Sequence, residues 1–158
     1  MRVSTQSVVS IRREAPDGDD ARALITELDA ELEPLYGPKS RHGYSVDKLL
    51  GERVAFFVVR LDGNAAGCGG VKIVEHEYGE IKRMYLRPRY RGRGLARVLL
   101  DELTAYAREC GVPALRLETG IYQYAAIALY ERDGFRRIPP FANYTEDPVS
   151  RCYEKQLG

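Results

Sequence analysis

Apolar residues along this chain follow two different periods, and the switches between them mark out its elements. Residues 7–15 (SVVSIRREA) are β-branched and weakly alternating, which predicts a first strand, closed by PDGDD, whose aspartates suit a helix cap. DARALITELDAEL then keeps Ala21, Leu24, Ile25, Leu28 and Leu32 at the three-and-four spacing of one buried helical face. EPLYGPKSRHGY breaks that period with two prolines and two glycines and predicts a loop, before Ser45 caps a short helix through VDKLL. In RVAFFVVRLDGNAAGCGGVKIV two β-prone runs flank Asp62, Gly63 and Asn64, residues that tolerate the positive φ of a tight hairpin turn. A second turn at EHEYGE leads into EIKRMYLRP, so the centre reads as an antiparallel meander of three strands ending at Pro88.

The most regular helix is GLARVLLDELTAYAREC, with Leu95, Val98, Leu99, Leu103, Tyr106 and Cys110 on one stripe and Gly111 and Pro113 as its stop. A strand ALRLETG, a helix YAAIALYERDG stopping at Gly134, a strand beginning FRRI, a loop PPFANYTEDP and a last strand SRCYEKQL complete the chain. The expected order is strand, two helices, three strands, helix, strand, helix, two strands. That pattern predicts a single α+β domain over residues 1–158, with a mixed, mostly antiparallel twisted sheet flanked by helices.

Composition narrows the partners. With 24 basic against 23 acidic residues there is no global field to draw the chain onto nucleic acid or a membrane. Cys68, Cys110 and Cys152 are odd in number and lack zinc-ligand spacing, which predicts a reduced, cytoplasmic protein with no metal. MRVSTQSVVS has no apolar signal core, and no run approaches the length of a membrane span.

Against that neutral background, residues 87–100 (RPRYRGRGLARVLL) concentrate five arginines and two glycines at a strand-to-helix junction. The first amides of a helix are unpaired and lie at the positive end of its dipole, so the junction predicts an anion site. Gly92 and Gly94 let the backbone approach an anion closely, and Arg91 and Arg93 add charge around it. A phosphate or pyrophosphate fits best. The spacing excludes a nucleoside-triphosphate loop, which needs Lys-Ser or Lys-Thr after the glycines, and a dinucleotide loop, which needs a third glycine. Taken alone, the segment also reads as a solvated basic turn.

RGRGLA resembles the R/Q-x-x-G-x-G/A pyrophosphate motif of the GNAT superfamily of N-acetyltransferases, with Arg91 first, Gly94 fourth and Ala96 sixth. GEIKRMYLRPRYRGRGLARVLL is similar to that family's strand, loop and helix unit, and AIALYERDGF to its later tyrosine followed by Gly-Phe. The resemblance implies a GNAT-like sheet of about six to seven strands with about four helices. It implies acetyl-CoA as co-substrate, with the backbone of Arg91, Gly92, Arg93, Gly94, Leu95 and Ala96 around the pyrophosphate and the pantetheine arm along Met84, Tyr85 and Leu86. Gln123 stands where the family often has asparagine, and the resemblance implies that it contacts the pantetheine.

Acetyl transfer needs a neutral amine, and alkylammonium groups release their proton only near about pH 10, so a base is required. Glu80 lies eleven residues before Arg91, the spacing at which the family places a glutamate base. Glu118 ranks second, His76 and Glu77 are turn candidates, and water is a further alternative. The resemblance implies that the backbone N–H of Met84, at a strand bulge, holds the oxyanion and that Tyr130 protonates the leaving thiolate. Acceptor residues are expected in LYGPKSRHGY and IPPFANYTEDP, with Tyr36, Arg41, Tyr144 and Glu118 as leading candidates beside His42, Tyr44, Phe141, Glu146 and Asp147. The expected partner is a small-molecule or peptide amine, and dimerisation through sheet edges is left open. Two other functions compete: a non-catalytic acyl-CoA-binding regulator, and a nucleic-acid module using the basic segment 83–97 with Tyr85 and Tyr90. The neutral total charge and Glu77 and Glu80 just upstream weigh against the latter.

Overall fold

The computed structural model describes residues 6–37 and 44–158. In chain order the elements are β1 (Val9–Arg13), α1 (Asp19–Tyr36), α2 (Val46–Gly51), β2 (Ala55–Leu61), β3 (Asn64–Val74) and β4 (Tyr78–Leu86). A 3-10 turn at Pro88–Tyr90 follows, then α3 (Leu95–Glu109), β5 (Ala114–Gly120), α4 (Tyr124–Arg132), β6 (Arg136–Ile138) and β7 (Ser150–Gln156). The strands form one sheet in the order β1-β2-β3-β4-β5-β7-β6, antiparallel throughout except for the β4–β5 pair. The expected order of elements and the mostly antiparallel sheet are both present.

The apolar run of β2 is continuous because both faces of the sheet are covered. Phe56 and Val58 pack with Leu24, Ile25 and Leu28 of α1 and Leu49 of α2, whereas Phe57 and Val59 join Leu99, Leu103 and Ile127 of α3 and α4. Asp62 and Gly63 take φ of 52° and 82°, the two positive values of a type I′ hairpin turn, and set the β2–β3 register. Ser45 caps α2 by accepting the Lys48 N–H at 3.1 Å.

Two helices depart from the pattern read in the sequence. α1 runs through Pro34 to Tyr36, past the expected end at Leu32. A proline there removes one hydrogen bond, but Tyr36 is tied across the fold to Gln123 and to the Tyr122 backbone, and those contacts hold the last turn. In α3, Val98 and Cys110 are exposed, and Leu100, Thr104 and Ala107 are buried in their stead. Leu99 and Leu103 sit directly on Gly69 of β3, where an added Cβ would lie 3.6 Å and 3.2 Å from their methyl carbons. That close approach turns the 95/99/103/107 row toward the sheet.

The central irregularity is the join between β4 and β5. They pair only at Gly79–Leu115 and Glu80–Arg116, after which β4 stays with β3 as far as Leu86 and β5 stays with β7 as far as Gly120. Between the Cys68–Tyr85 and Gly70–Lys82 pairs β4 uses one residue more than β3, a bulge at Arg83 and Met84 with Arg83 at φ 56°.

Candidate active site

Where β4 and β5 part, a cleft opens with about 860 Å³ between its walls, open mouth included. Ile81, Lys82 and Met84 of β4 line one side and Leu117, Glu118 and Gly120 of β5 the other; Tyr36, Tyr44, Tyr144 and Tyr130 add aromatic walls.

At the α3 end, Gly92 and Gly94 both have φ of 78°, which glycine adopts without the strain a β-carbon would bring. Gly94 is the N-cap of α3 and offers no side chain to its amides, and the first helical turn has no acidic residue. A Cβ added to either glycine would meet nothing within 4 Å. The loop amides therefore border open space at a positive helix end, and these residues fit a pyrophosphate group.

The arginines around this loop are differently employed from the expectation. Arg87 grips Glu27 with Nη2 at 2.8 Å and Nε at 3.0 Å, and Arg91 bonds Glu31 at 2.7 Å and the Leu86 carbonyl at 3.0 Å. Arg83 reaches Asp29 at 2.5 Å, and Arg97 pairs with Asp133. Glu27, Asp29 and Glu31 all belong to α1, so three of the arginines clamp that helix to β4 and the loop. Among the described residues Arg89 and Arg93 have no carboxylate partner; Arg89 bonds the Tyr90 hydroxyl at 3.1 Å.

Glu80 is 3% exposed, at the point where β4 and β5 part. Its Oε2 accepts from the Tyr144 hydroxyl at 2.6 Å and from Lys82 Nζ at 2.7 Å. Lys82 also donates to the Tyr144 oxygen at 2.8 Å and stands 3.9 Å from the centre of the Tyr44 ring. Burial disfavours the charged amine of Lys82 more than the neighbouring Glu80 favours it, so its pKa lies below the ordinary lysine value. Burial, and then the Glu80 charge, push the Tyr144 phenol well above its usual range. Neither Lys82 nor Tyr44 was among the leading candidates; the signal for Lys82 was present, since period-two alternation puts it on the same strand face as Glu80.

Tyr130 is buried against Phe135, with ring centres 5.6 Å apart, and its hydroxyl has no hydrogen-bond partner among the described residues. Burial raises its pKa far above that of a free phenol, so it stays protonated. Met84 lines the cleft at the bulge. Tyr85 turns its side chain to α1, its hydroxyl 3.3 Å from Glu27, and neither it nor Leu86 is a wall of the cleft. Gln123 accepts from Tyr36 at 3.1 Å, and Tyr36 in turn accepts the Tyr122 N–H at 3.0 Å. Glu118 faces the cleft and accepts from Ser150 at 2.5 Å.

Other candidates fall elsewhere. His76 and Glu77 occupy the exposed β3–β4 turn, His76 at φ 64°. Phe141 is buried against Tyr78 and Tyr144, and Glu146 and Asp147 border a separate depression with Arg137 and Arg151. Arg41 and His42 lie outside the described residues.

A splayed parallel pair inside an antiparallel sheet, with a bulged strand and a glycine loop at one helix end, is the architecture that the comparisons with acyltransferases match. The chain matches the Acetyltransferase (GNAT) family over residues 22–135 and belongs to it. It is 43% identical over 150 residues to a protein of Azospirillum brasilense named IAA acetyltransferase, covering 94% of this chain and 98% of that one. A Klebsiella pneumoniae structure of the acyl-CoA N-acyltransferase type superposes with a TM-score of 0.84 at 40% identity, covering 95% and 98% of the two chains. A GNAT family acetyltransferase from Elizabethkingia anophelis with acetyl-CoA bound shares the fold at 17% identity, TM-score 0.71, with 94% and 97% covered. The chain is thus an acyltransferase. Among the described residues no helix is long and apolar enough to cross a membrane.

Proposed function

We propose that this enzyme transfers the acetyl group of acetyl-CoA directly to a primary amine of a small molecule or peptide, in the cytoplasm. Acetyl-CoA is the donor and supplies an activated acyl group. The observation that carries the reading is the convergence on one cleft of a strand bulge, a phenol with no hydrogen-bond partner among the described residues, and the lining residues Lys82 and Tyr144 that hold the buried Glu80 carboxylate, beside an uncapped helix end.

In this reading the amides from Arg91 to Ala96, with the Arg93 side chain, bind pyrophosphate, and Gln123 orients the arm between loop and cleft. Glu80 takes the proton of the attacking amine, its carboxylate held in place by Lys82 and Tyr144. Met84 donates its backbone N–H to the oxyanion, and Tyr130 gives its proton to the departing thiolate. Tyr36, Tyr144 and Glu118 line the acceptor side.

The test is calorimetric titration with acetyl-CoA followed by a free-thiol assay against amino acids, polyamines, aminoglycosides, peptides and IAA, the compound in the Azospirillum relative's name. Binding with thiol release for an amine supports the reading. Binding without release for any of them points to a sensor, and absence of binding overturns the assignment of the loop.

A further inference from the structure

We propose that Lys82 is itself an acetyl acceptor, and that the enzyme acetylates this lysine from acetyl-CoA when no amine substrate occupies the cleft. The inference rests on the cleft being the acetyl-transfer site. The acceptor subsite needs an alkyl amine held by a carboxylate in a dry environment, and Lys82 already meets that description. Its Nζ is 2.7 Å from Glu80 Oε2 and 2.8 Å from the Tyr144 hydroxyl, it stands 3.9 Å over the Tyr44 ring, and the residue is 6% exposed. It lines the same cleft as Met84, two positions further along β4 across the bulge.

The remaining described lysines are more exposed: Lys48 and Lys72 pair with Glu52, and Lys155 with Asp133. The lowered pKa of Lys82 adds to the geometry by raising the fraction of neutral amine. In the step, Lys82 passes one proton to Glu80 and its freed lone pair attacks the thioester carbonyl carbon. A C–N bond forms and the C–S bond breaks. The second amine proton leaves with the sulfur as the free thiol of CoA, and the product is a neutral amide. The modified chain loses the cation beside Glu80, so acetyl-CoA in excess of acceptor switches the cleft off.

To test this, the full chain is incubated with acetyl-CoA alone and followed by intact mass and by peptide mapping of Lys39, Lys48, Lys72, Lys82 and Lys155. The expected result is one acetyl group on Lys82, at a rate that saturates with acetyl-CoA, does not change on diluting the protein and is suppressed by desulfo-CoA. Lys82→Arg removes that modification, and prior acetylation of the wild type lowers later turnover in proportion to occupancy. Acetylation spread over exposed lysines without saturation overturns the proposal, as does an unmodified Lys82 in a preparation that acetylates an added amine. If the preparation neither binds acetyl-CoA nor releases thiol, the cleft assignment falls and the lysine with it. Mapping and competition on the wild type decide the matter even where Lys82→Arg folds poorly.

Discussion

Replacing Glu80 with Gln separates the proposed catalytic role from the structural one. The substitution keeps an acceptor for Tyr144 but leaves the Lys82 ammonium buried with no countercharge, since Glu80 is the carboxylate 2.7 Å from it. Removing one member of a buried ion pair costs about 3–5 kcal/mol. For a chain of this length each kcal/mol moves the melting temperature by about 2–4 °C, so the expected loss is about 6–20 °C at neutral pH. Lys82 already has a depressed pKa in the folded state, and the substitution depresses it further. Between that value and the unfolded value near about 10.4, the unfolded chain binds the extra proton, so the deficit shrinks as pH rises toward the unfolded pKa. Glu80→Gln with Lys82→Met removes both charges and recovers most of the stability, because a buried pair is replaceable by apolar groups of similar volume. Turnover behaves differently. Loss of a general base lowers kcat/KM by about 10²–10⁴, and the double variant does not restore it. Thermal melts and thiol-release kinetics on both variants provide the check. A double variant that regains activity together with stability would refute the base assignment and make Glu80 a structural countercharge.

Three further predictions follow from the same cleft. Gly94→Glu puts a carboxylate at the start of α3, where it suits the helix dipole but repels pyrophosphate, and its β-carbon is strained at φ 78°; stability falls by about 1–2 kcal/mol while calorimetric affinity for acetyl-CoA falls at least about tenfold, about 1.4 kcal/mol. Tyr130→Phe removes a hydroxyl that has no partner among the described residues, so stability stays within about 0.5 kcal/mol while kcat drops more than KM rises. Because burial holds that phenol protonated above its ordinary range, the alkaline limb of the wild-type profile is not set by Tyr130 and keeps its position in the variant. Gly120→Ala forces Tyr36 out, since the added Cβ would lie 2.1 Å from the phenol carbon; acceptor KM changes and the melting temperature falls by an amount fitting the loss of its two hydrogen bonds, about 1–3 kcal/mol.

Local signals in the sequence carried the order of elements. The Asp62-Gly63 turn, the Ser45 cap and the apolar rows of α1 and α3 are each decided by neighbours in the chain. Departures arise where a distant contact outweighs local preference. Pro34 stays helical because Tyr36 is anchored across the fold, and the face of α3 is turned by a glycine on β3. Of the candidate site, the glycine loop, Glu80 and Tyr130 were legible from motif spacing. The pairing of Arg87 with Glu27 and Arg91 with Glu31 joins residues sixty positions apart, and no local pattern encodes it. The bulge at Arg83 was implied by family likeness alone, since a positive φ at a non-glycine residue leaves no compositional trace.

The splayed strands behave as a crack in an otherwise continuous sheet, and Glu80 sits at the crack's tip. Fracture mechanics puts the greatest sensitivity at such a tip, and here it is protected by a missing side chain. A Cβ on Gly79 would lie 3.0 Å from Val71 and 3.2 Å from Leu115, a wedge driven between the strands one residue from the carboxylate. Widening the gap there would carry Glu80 away from the opposite wall, so the position of this carboxylate is regulated by a residue with no chemistry of its own.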